Sequence, residues 1–458
     1  MSESFDAIVI GAGQAGPPLA VRMGQAGQRV CLIEREHLGG TCVNDGCIPT
    51  KTLVASARVA HVARRAADYG VDVGGAVSVD MARVRARKDA VVQASIDSLT
   101  RWIGDAPNVT FVKGEARFVG AHEVEAAGRR VSAPRIFINT GGRATVPDWP
   151  GLDDVPYLTN TSMMALDRLP EHLIVAGGSY IGLEFAQMYR RFGARVTVVE
   201  YADRLIARED PEVSAAVTDI LASEGIGIRL GVRDIAVAKT SAGVRLTATS
   251  GGAALDVEGS DLLLAVGRRP NVETLNLEAA GVRLDSRGYI EVDDALATTA
   301  PGVWALGDVN GHGAFTHTSW NDYEILAANL LGGESRRVSD RITAYALFTD
   351  PPLARVGLTE TEARASGRPL LKAVMPMTRV GRARERGETQ GFMKVLVDAE
   401  TRLILGAALL CIEGDEIIHS LLDVMAARAP YTVIERTMHI HPTVSELIPT
   451  LLAGLRPL

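Results

Sequence analysis

One unit of sequence occurs twice in this chain, and it constrains the fold more than anything else in the 458 residues. The first copy runs Phe5-Asp-Ala-Ile-Val-Ile-Gly11-Ala-Gly13-Gln-Ala-Gly16: an apolar strand, a glycine turn, a helix from Leu19 to Gly24, and a second strand from Arg29 to Ile33 closed by Glu34. The second copy, 166 residues later, runs His172-Leu-Ile-Val-Ala-Gly177-Gly-Ser179-Tyr180-Ile181-Gly182, then a helix from Leu183 to Phe192 and a strand from Arg195 to Val199 closed by Glu200. In both, the glutamate stands 23 residues after the first glycine. The first glycine permits a tight turn, the second lets backbone approach a pyrophosphate, the third packs helix on strand, and the carboxylate accepts hydrogen bonds from a ribose. Ser179 replaces the second glycine in the later copy and is small enough to permit phosphate approach. Two copies imply two bound dinucleotides and an α/β fold with two Rossmann-type domains. A one-cofactor dehydrogenase needs one copy, and an interaction module needs none.

A chain of this length exceeds one core, so two to four domains are expected. Its composition, 47% hydrophobic and 22% charged, is that of an ordered globular protein. A net charge of -7, with basic residues scattered, argues against a nucleic-acid partner. No apolar run approaches the roughly 18 residues of a membrane span, and the start of the chain has no basic leader or cleavage site. A cytoplasmic protein is therefore expected.

The chemistry is concentrated between Gly39 and Lys51, Gly-Gly-Thr-Cys-Val-Asn-Asp-Gly-Cys-Ile-Pro-Thr-Lys, where Cys42 and Cys47, two of only four cysteines, lie beside a cation. An apolar-periodic helix expected over roughly Pro49 to Ala67 aims its positive end at the sulfurs, which favours thiolate over thiol. In the cytoplasm such a close pair is more often catalytic than a structural staple. Asp45, between them, is expected to raise a nearby thiol pKa unless solvent screens it. Cys31 and Cys411 fall in expected strands and read as core filler. Further along, Ile138-Asn-Thr140-Gly141-Gly142 and Asp261-Leu-Leu-Leu-Ala-Val-Gly267-Arg268 are strands running into glycine turns, and Thr299 to Gly307-Asp308 is a strand ending in an acid. A polar helix is expected over Asp80 to Trp102, and mixed strand and helix follow Ile342.

Four segments, Gly40-Thr41-Cys42 through Cys47-Ile-Pro-Thr-Lys51, Tyr180-Ile-Gly-Leu-Glu184, Ala305-Leu-Gly-Asp308 and His441-Pro-Thr-Val-Ser-Glu446, occur in this order. With them the whole chain resembles the flavin-dependent pyridine nucleotide-disulfide oxidoreductases, the family of dihydrolipoamide dehydrogenase, glutathione reductase and mercuric reductase. The resemblance implies an FAD-binding domain over residues 1–146 that resumes over 265–338, an NAD(P)-binding domain over 147–264, and an α+β dimerisation domain over 339–458. It implies FAD on the first glycine turn, with Gly40, Thr41, Lys51, Thr140, Gly141, Gly267, Arg268, Gly307 and Asp308 contributing to cofactor binding and Glu34 on the adenosine ribose. Tyr180 resembles the family's aromatic gate over the nicotinamide pocket. By the same resemblance Cys47 is the charge-transfer thiolate facing the flavin, Cys42 the interchange thiol facing substrate, and Lys51 with Glu184 an ion pair beside the flavin. His441 with Glu446 resembles the acid-base pair, contributed in relatives across a homodimer interface. Glu200 suits the free 2'-hydroxyl of NAD and repels the 2'-phosphate of NADP, so NADH is favoured, with Arg204 and Arg208 near enough in sequence to leave NADPH use open. His439 lacks carboxylate or cysteine partners at ligand spacing, and no metal site is expected.

The expected function is disulfide or dithiol oxidoreduction on a small molecule, like dihydrolipoamide dehydrogenase. The segment around the cysteines looks closest to the mercuric-reductase-like subgroup, although that subgroup's C-terminal cysteine pair is absent before Leu458. The alternative is reduction of a metal ion, quinone or reactive electrophile. A flavin-binding redox sensor without turnover is a third reading, opposed by the intact set of six catalytic candidates.

Overall fold

A computed structural model describes residues 2–458. The first glycine unit builds a five-stranded parallel sheet in the spatial order Val303–Ala305, Ile136–Ile138, Ala7–Ile10, Val30–Glu34, Val109–Lys113. Its central strands read as continuous apolar runs because both faces are covered, one by the helices Gly16–Gln25 and Thr316–Leu331 and the other by an antiparallel sheet within residues 117–132, and Ala7–Ile10 is wholly buried. The second unit builds a four-stranded parallel sheet, Gly227–Arg229, Arg195–Val199, His172–Ala176, Asp261–Leu264. A three-stranded antiparallel sheet within residues 232–259 packs against it. The C-terminal part is a six-stranded, antiparallel sheet carrying the helix Gly414–Ala426. The fold is thus two Rossmann-type units plus an α+β domain.

The second unit is inserted into the first. The chain leaves through the strand Gly142–Ala144 and returns through Arg268–Pro270, and these two strands pair with each other antiparallel. Asn271 Nδ2 donates to the Thr140 carbonyl at 2.9 Å, and the Thr140 hydroxyl donates to the Asn271 carbonyl at 2.7 Å. Exit and return are therefore stitched side by side at Thr140-Gly141.

Helix boundaries differ from the periodicity in informative ways. The first helix begins at Gly16 rather than Leu19, because Pro17 and Pro18 occupy the first turn, where no N–H is required of them. The helix after the cysteines spans Cys47–Arg64 rather than Pro49 to Ala67, for the same reason at Pro49. A separate short helix, Gly40–Asn44, precedes it and carries Cys42. The later polar helix is Met81–Gly104, with Asp80 outside it as the cap accepting from the Arg83 N–H at 3.1 Å.

Candidate active site

The two nucleotide units repeat each other down to single hydrogen bonds. Glu34 accepts from the Ala12 and Glu36 N–H groups, each at 2.8 Å. Glu200 accepts from the Gly178 N–H and, at 2.7 Å, from the Ala202 N–H. Each carboxylate is thereby fixed at the tip of its second strand and bent over its glycine turn. Gly11 and Gly177 both adopt positive φ, +101° and +114°. A Cβ on Gly11 would stand 2.3 Å from the Asn139 carbonyl oxygen, and one on Gly177 2.2 Å from that of Ala265. The Asn139 side chain accepts from the Gly16 N–H at 3.0 Å and donates to the Leu306 carbonyl at 2.9 Å, which ties the first turn to the strand leading to Gly307-Asp308.

A cleft of about 1010 Å3 opens over the first sheet. It reaches Glu34 and Gly114, passes Gly11, Gly13, Gly40, Thr41 and Asp308, and continues to Lys51, Glu184 and Tyr180. Thr140, Gly141 and Arg268 also line it. That is the upper end of the roughly 300–1,000 Å3 usual for small-molecule sites. A Cβ on Gly40 would lie 2.9 Å from the Gly13 Cα, so side chains are absent where the two loops meet and the cleft floor is bare backbone. A long, flat dinucleotide with a pyrophosphate at its middle fits this shape, and Glu34 supplies a ribose acceptor at one end. Gly16, Gly267 and Gly307 shape the turns without lining the cleft. Gly177, Ser179, Gly182 and Glu200 lie outside it too, and the second unit meets it through Asn160 and Thr161 and through Tyr180, Ile181, Glu184 and Phe185 of its first helix.

Both cysteines line this cleft as free thiols. Cys47 is the first residue of its 18-residue helix, so the positive helix end lies at its sulfur. The Cys47 pKa is lowered to about 6, chiefly by the hydrogen bond from Cys42, with the Thr316 hydroxyl and the Lys51 charge helping against burial. Thr316 Oγ1 lies 3.2 Å from Cys47 Sγ. The Cys42 thiol is pushed far up by the same hydrogen bond and by burial. Both effects favour a thiolate on Cys47 over one on Cys42. Lys51 Nζ donates to Glu184 at 2.8 and 3.0 Å and sits 4.5 Å from the Phe348 ring centroid. Glu184 also accepts from the Phe348 N–H at 3.0 Å, which anchors it. The Asp308 carboxyl is raised by burial, and Arg268, 3.6 Å away, acts in the opposite direction.

Asp45 does not load the thiols as its sequence position led us to expect. Its carboxylate accepts from the Thr161 hydroxyl, its carbonyl accepts from Asn160 Nδ2 at 3.0 Å, and it is not among the main groups acting on either cysteine. His441 and Glu446 do meet, with Nδ1 at 2.8 Å from Oε2, but the His441 side chain is 80% exposed and lies outside the cleft of its own chain. Met438 and Ile440 beside it are among the most exposed apolar residues of the protein. Sequence reasoning missed Asn139 and Thr316, which act on the turn and on Cys47 from more than 100 residues away and carry no local signature.

Strands, glycine turns, paired thiols and an ion pair at one end of a dinucleotide cleft define a class of redox enzyme. The sequence matches the family Pyridine nucleotide-disulphide oxidoreductase over residues 5–322 and the dimerisation domain of that family over residues 343–452. The chain belongs to this family and is a flavoprotein disulfide oxidoreductase, with FAD and a pyridine nucleotide as the cofactors implied. Among its relatives, the probable pyridine nucleotide-disulfide oxidoreductase RclA of Escherichia coli K12 is 37% identical over 96% of this chain and 97% of its own. Dihydrolipoyl dehydrogenase of Thermus scotoductus is 34% identical over 97% and 96%. Mercuric reductase of Bacillus cereus is 34% identical over 96% of this chain and 70% of its own. The solved Cu(II) complex of the HOCl-induced flavoprotein disulfide reductase RclA superposes with a TM-score of 0.89 at 36% identity, covering 99% of both chains. The dimerisation domain points to a homodimer, and no helix of the described residues is long and apolar enough to cross a membrane.

Proposed function

We propose that this protein is a cytoplasmic, homodimeric, NADH-preferring disulfide oxidoreductase that acts on a small-molecule disulfide or dithiol through Cys42 and Cys47. The observation that carries the reading is the grouping in one cleft of two free thiols, with Cys47 at a helix start 3.2 Å from the Thr316 hydroxyl, and the Lys51–Glu184 ion pair, an environment that favours the thiolate at Cys47 over Cys42. When bound, FAD supplies the two-electron relay between nicotinamide and cysteine pair. Lys51, held by Glu184, provides the cation that stabilises negative charge at that end of the cleft. Cys47 with Thr316 holds the thiolate toward the cofactor. Cys42 is the exchange thiol, and its sulfur forms the mixed disulfide with substrate while the displaced substrate sulfur takes a proton.

That proton needs a donor. His441 of the partner subunit, oriented and charge-stabilised by Glu446, takes the Cys42 proton as that sulfur attacks and hands it to the displaced substrate sulfur in this reading. The exposure of His441 outside its own chain's cleft and the flanking exposed Met438 and Ile440 support contribution across a dimer interface. NADH preference is supported by Glu200, whose carboxylate repels a 2'-phosphate. Arg204, four residues further on, directs its Nη2 to the Ala207 carbonyl of its own loop at 3.0 Å.

The test is anaerobic NAD-dependent oxidation of dihydrolipoamide by the FAD-loaded protein, with Cys42→Ser in parallel. Turnover of roughly 1 to 1,000 per second, lost in the variant with flavin retained, is the expected result. A variant that keeps disulfide turnover would sink the assigned thiol roles. Similarity to mercuric reductases and to a reductase solved with Cu(II) favours one second reading, a metal ion as the acceptor at the same thiols. NADH-driven reduction of metal ions by a protein inert toward dihydrolipoamide would select it.

A further inference from the structure

Tyr180 opens the second fingerprint helix and lines the cleft near Lys51 and Glu184. Its ring meets Phe315 and Tyr345 edge-on, with centroids 6.0 and 5.6 Å away. Phe315 and Tyr345 are themselves stacked, 5.5 Å apart and 7° from parallel. Behind them lies Glu209, whose side chain is fully buried. Its Oε1 accepts from the Tyr345 hydroxyl at 2.8 Å and stands 3.5 Å from the Tyr180 hydroxyl. Its Oε2 accepts from Arg355 Nε at 2.7 Å.

Glu209 is thus fully compensated without Tyr180. Arg355 balances its charge and Tyr345 occupies the oxygen that faces Tyr180, leaving that phenol a contact at the outer limit of a hydrogen bond. Burial raises both phenol pKa values, and Glu209 acts in the same direction, so each remains a donor. The Tyr345 hydroxyl also acts weakly on the Tyr180 hydroxyl, and a tyrosine held only by such marginal contacts can leave its place at small cost. A tyrosine at full hydrogen-bond distance from a buried carboxylate cannot.

We propose that Tyr345 and Glu209 are positioning residues for the nicotinamide step: by holding the shared carboxylate oxygen, Tyr345 keeps Tyr180 loosely tethered and free to swing aside for the nicotinamide. This rests on the reading of Tyr180 as the gate. Tyr345→Phe keeps the ring stack and removes one hydroxyl. The vacated oxygen is then open to Tyr180, which closes its 3.5 Å gap and tightens the gate.

The experiment is anaerobic stopped-flow reduction of the FAD-loaded dimer by NADH, or by NADPH if that reduces it faster, followed by reoxidation with lipoamide. Tyr345→Phe is expected to raise the half-saturating nicotinamide concentration about fivefold to tenfold, the worth of one hydrogen bond, with the lipoamide step unmoved. Tyr180→Phe is expected at or below the wild-type value, and the double variant is expected to match Tyr180→Phe, because without the Tyr180 hydroxyl there is nothing to capture. A Tyr345→Phe enzyme identical to wild type, an effect that persists in the double variant, or equal loss in both half-reactions would each overturn the proposal. Tyr180→Ala separates the two levels. If it leaves the nicotinamide step untouched, the gate reading itself fails; if it alters that step while Tyr345→Phe does not, only the tether fails.

Discussion

Thr316→Val removes a single hydroxyl from the environment of Cys47 and keeps the β-branched shape at the start of its helix. The hydroxyl stands 3.2 Å from Cys47 Sγ, and it is one of the groups that bring the thiol down to about 6. A hydrogen bond to a charged group contributes about 1.5–3 kcal/mol, and one pKa unit corresponds to about 1.4 kcal/mol. The variant is therefore expected to titrate about one to two units higher, near pH 7 to 8. Measured in a Cys42→Ser background, where a serine hydroxyl replaces the neighbouring thiol, the ultraviolet thiolate absorbance reports Cys47 alone. Burial pushes Cys31 and Cys411 up to about 12, so they stay silent across the titration. Glu184→Gln is the control of opposite sign, since the Glu184 charge opposes the thiolate and its removal should lower the midpoint. An unmoved midpoint in Thr316→Val would refute the claim that this hydroxyl stabilises the thiolate.

Replacing Glu200 with Ala should raise the KM for NADH about tenfold while sparing or improving that for NADPH, in steady-state kinetics with each. His441→Gln should lower disulfide exchange about 100-fold to 10,000-fold with NADH reduction of the flavin intact in single-turnover experiments. Co-expressed with Cys42→Ser chains, the His441→Gln chains should recover about a quarter of wild-type activity, because half the dimers then hold one complete site, and no recovery would place the histidine within its own chain. Gly11→Ala drives a Cβ to 2.3 Å from the Asn139 carbonyl oxygen and should abolish FAD retention, read as flavin content after purification.

The nucleotide units were legible because each rests on local requirements: a glycine where φ must be positive, and a carboxylate at the length of one βαβ step. The ion pair of Lys51 and Glu184 was legible only through the two motifs holding its halves, which lie 133 residues apart. Thr316, Tyr345 and Glu209 were not, because no periodicity or spacing marks a threonine or tyrosine whose partner lies more than 100 residues away. Helix starts were misplaced where proline falls in a first turn, since proline reads as a breaker in a linear pattern and as a good starter in three dimensions. Asp45 was misjudged because charge was weighed without direction, and Thr161 and Asn160, which tie it down, come from the edge of the inserted unit.

The insertion has two seams of opposite character. At one, two short strands run side by side, so chain topology would allow residues 145–267 to be exchanged for a tight turn. At the other, Glu209 and Asp210 of the insert are sunk among Arg355 and Lys394 of the C-terminal sheet, all four side chains at most 1% exposed. A foreign unit covering the same surface without those acids would bury Arg355 with no carboxylate partner and leave Lys394 only Glu360, 3.1 Å away, at a cost of about 3–5 kcal/mol for a broken buried pair. A module that looks detachable along the backbone is thus welded in by charge, and any transplant of a foreign nucleotide unit into this scaffold must bring its own two acids or give up the arginine and lysine they neutralise.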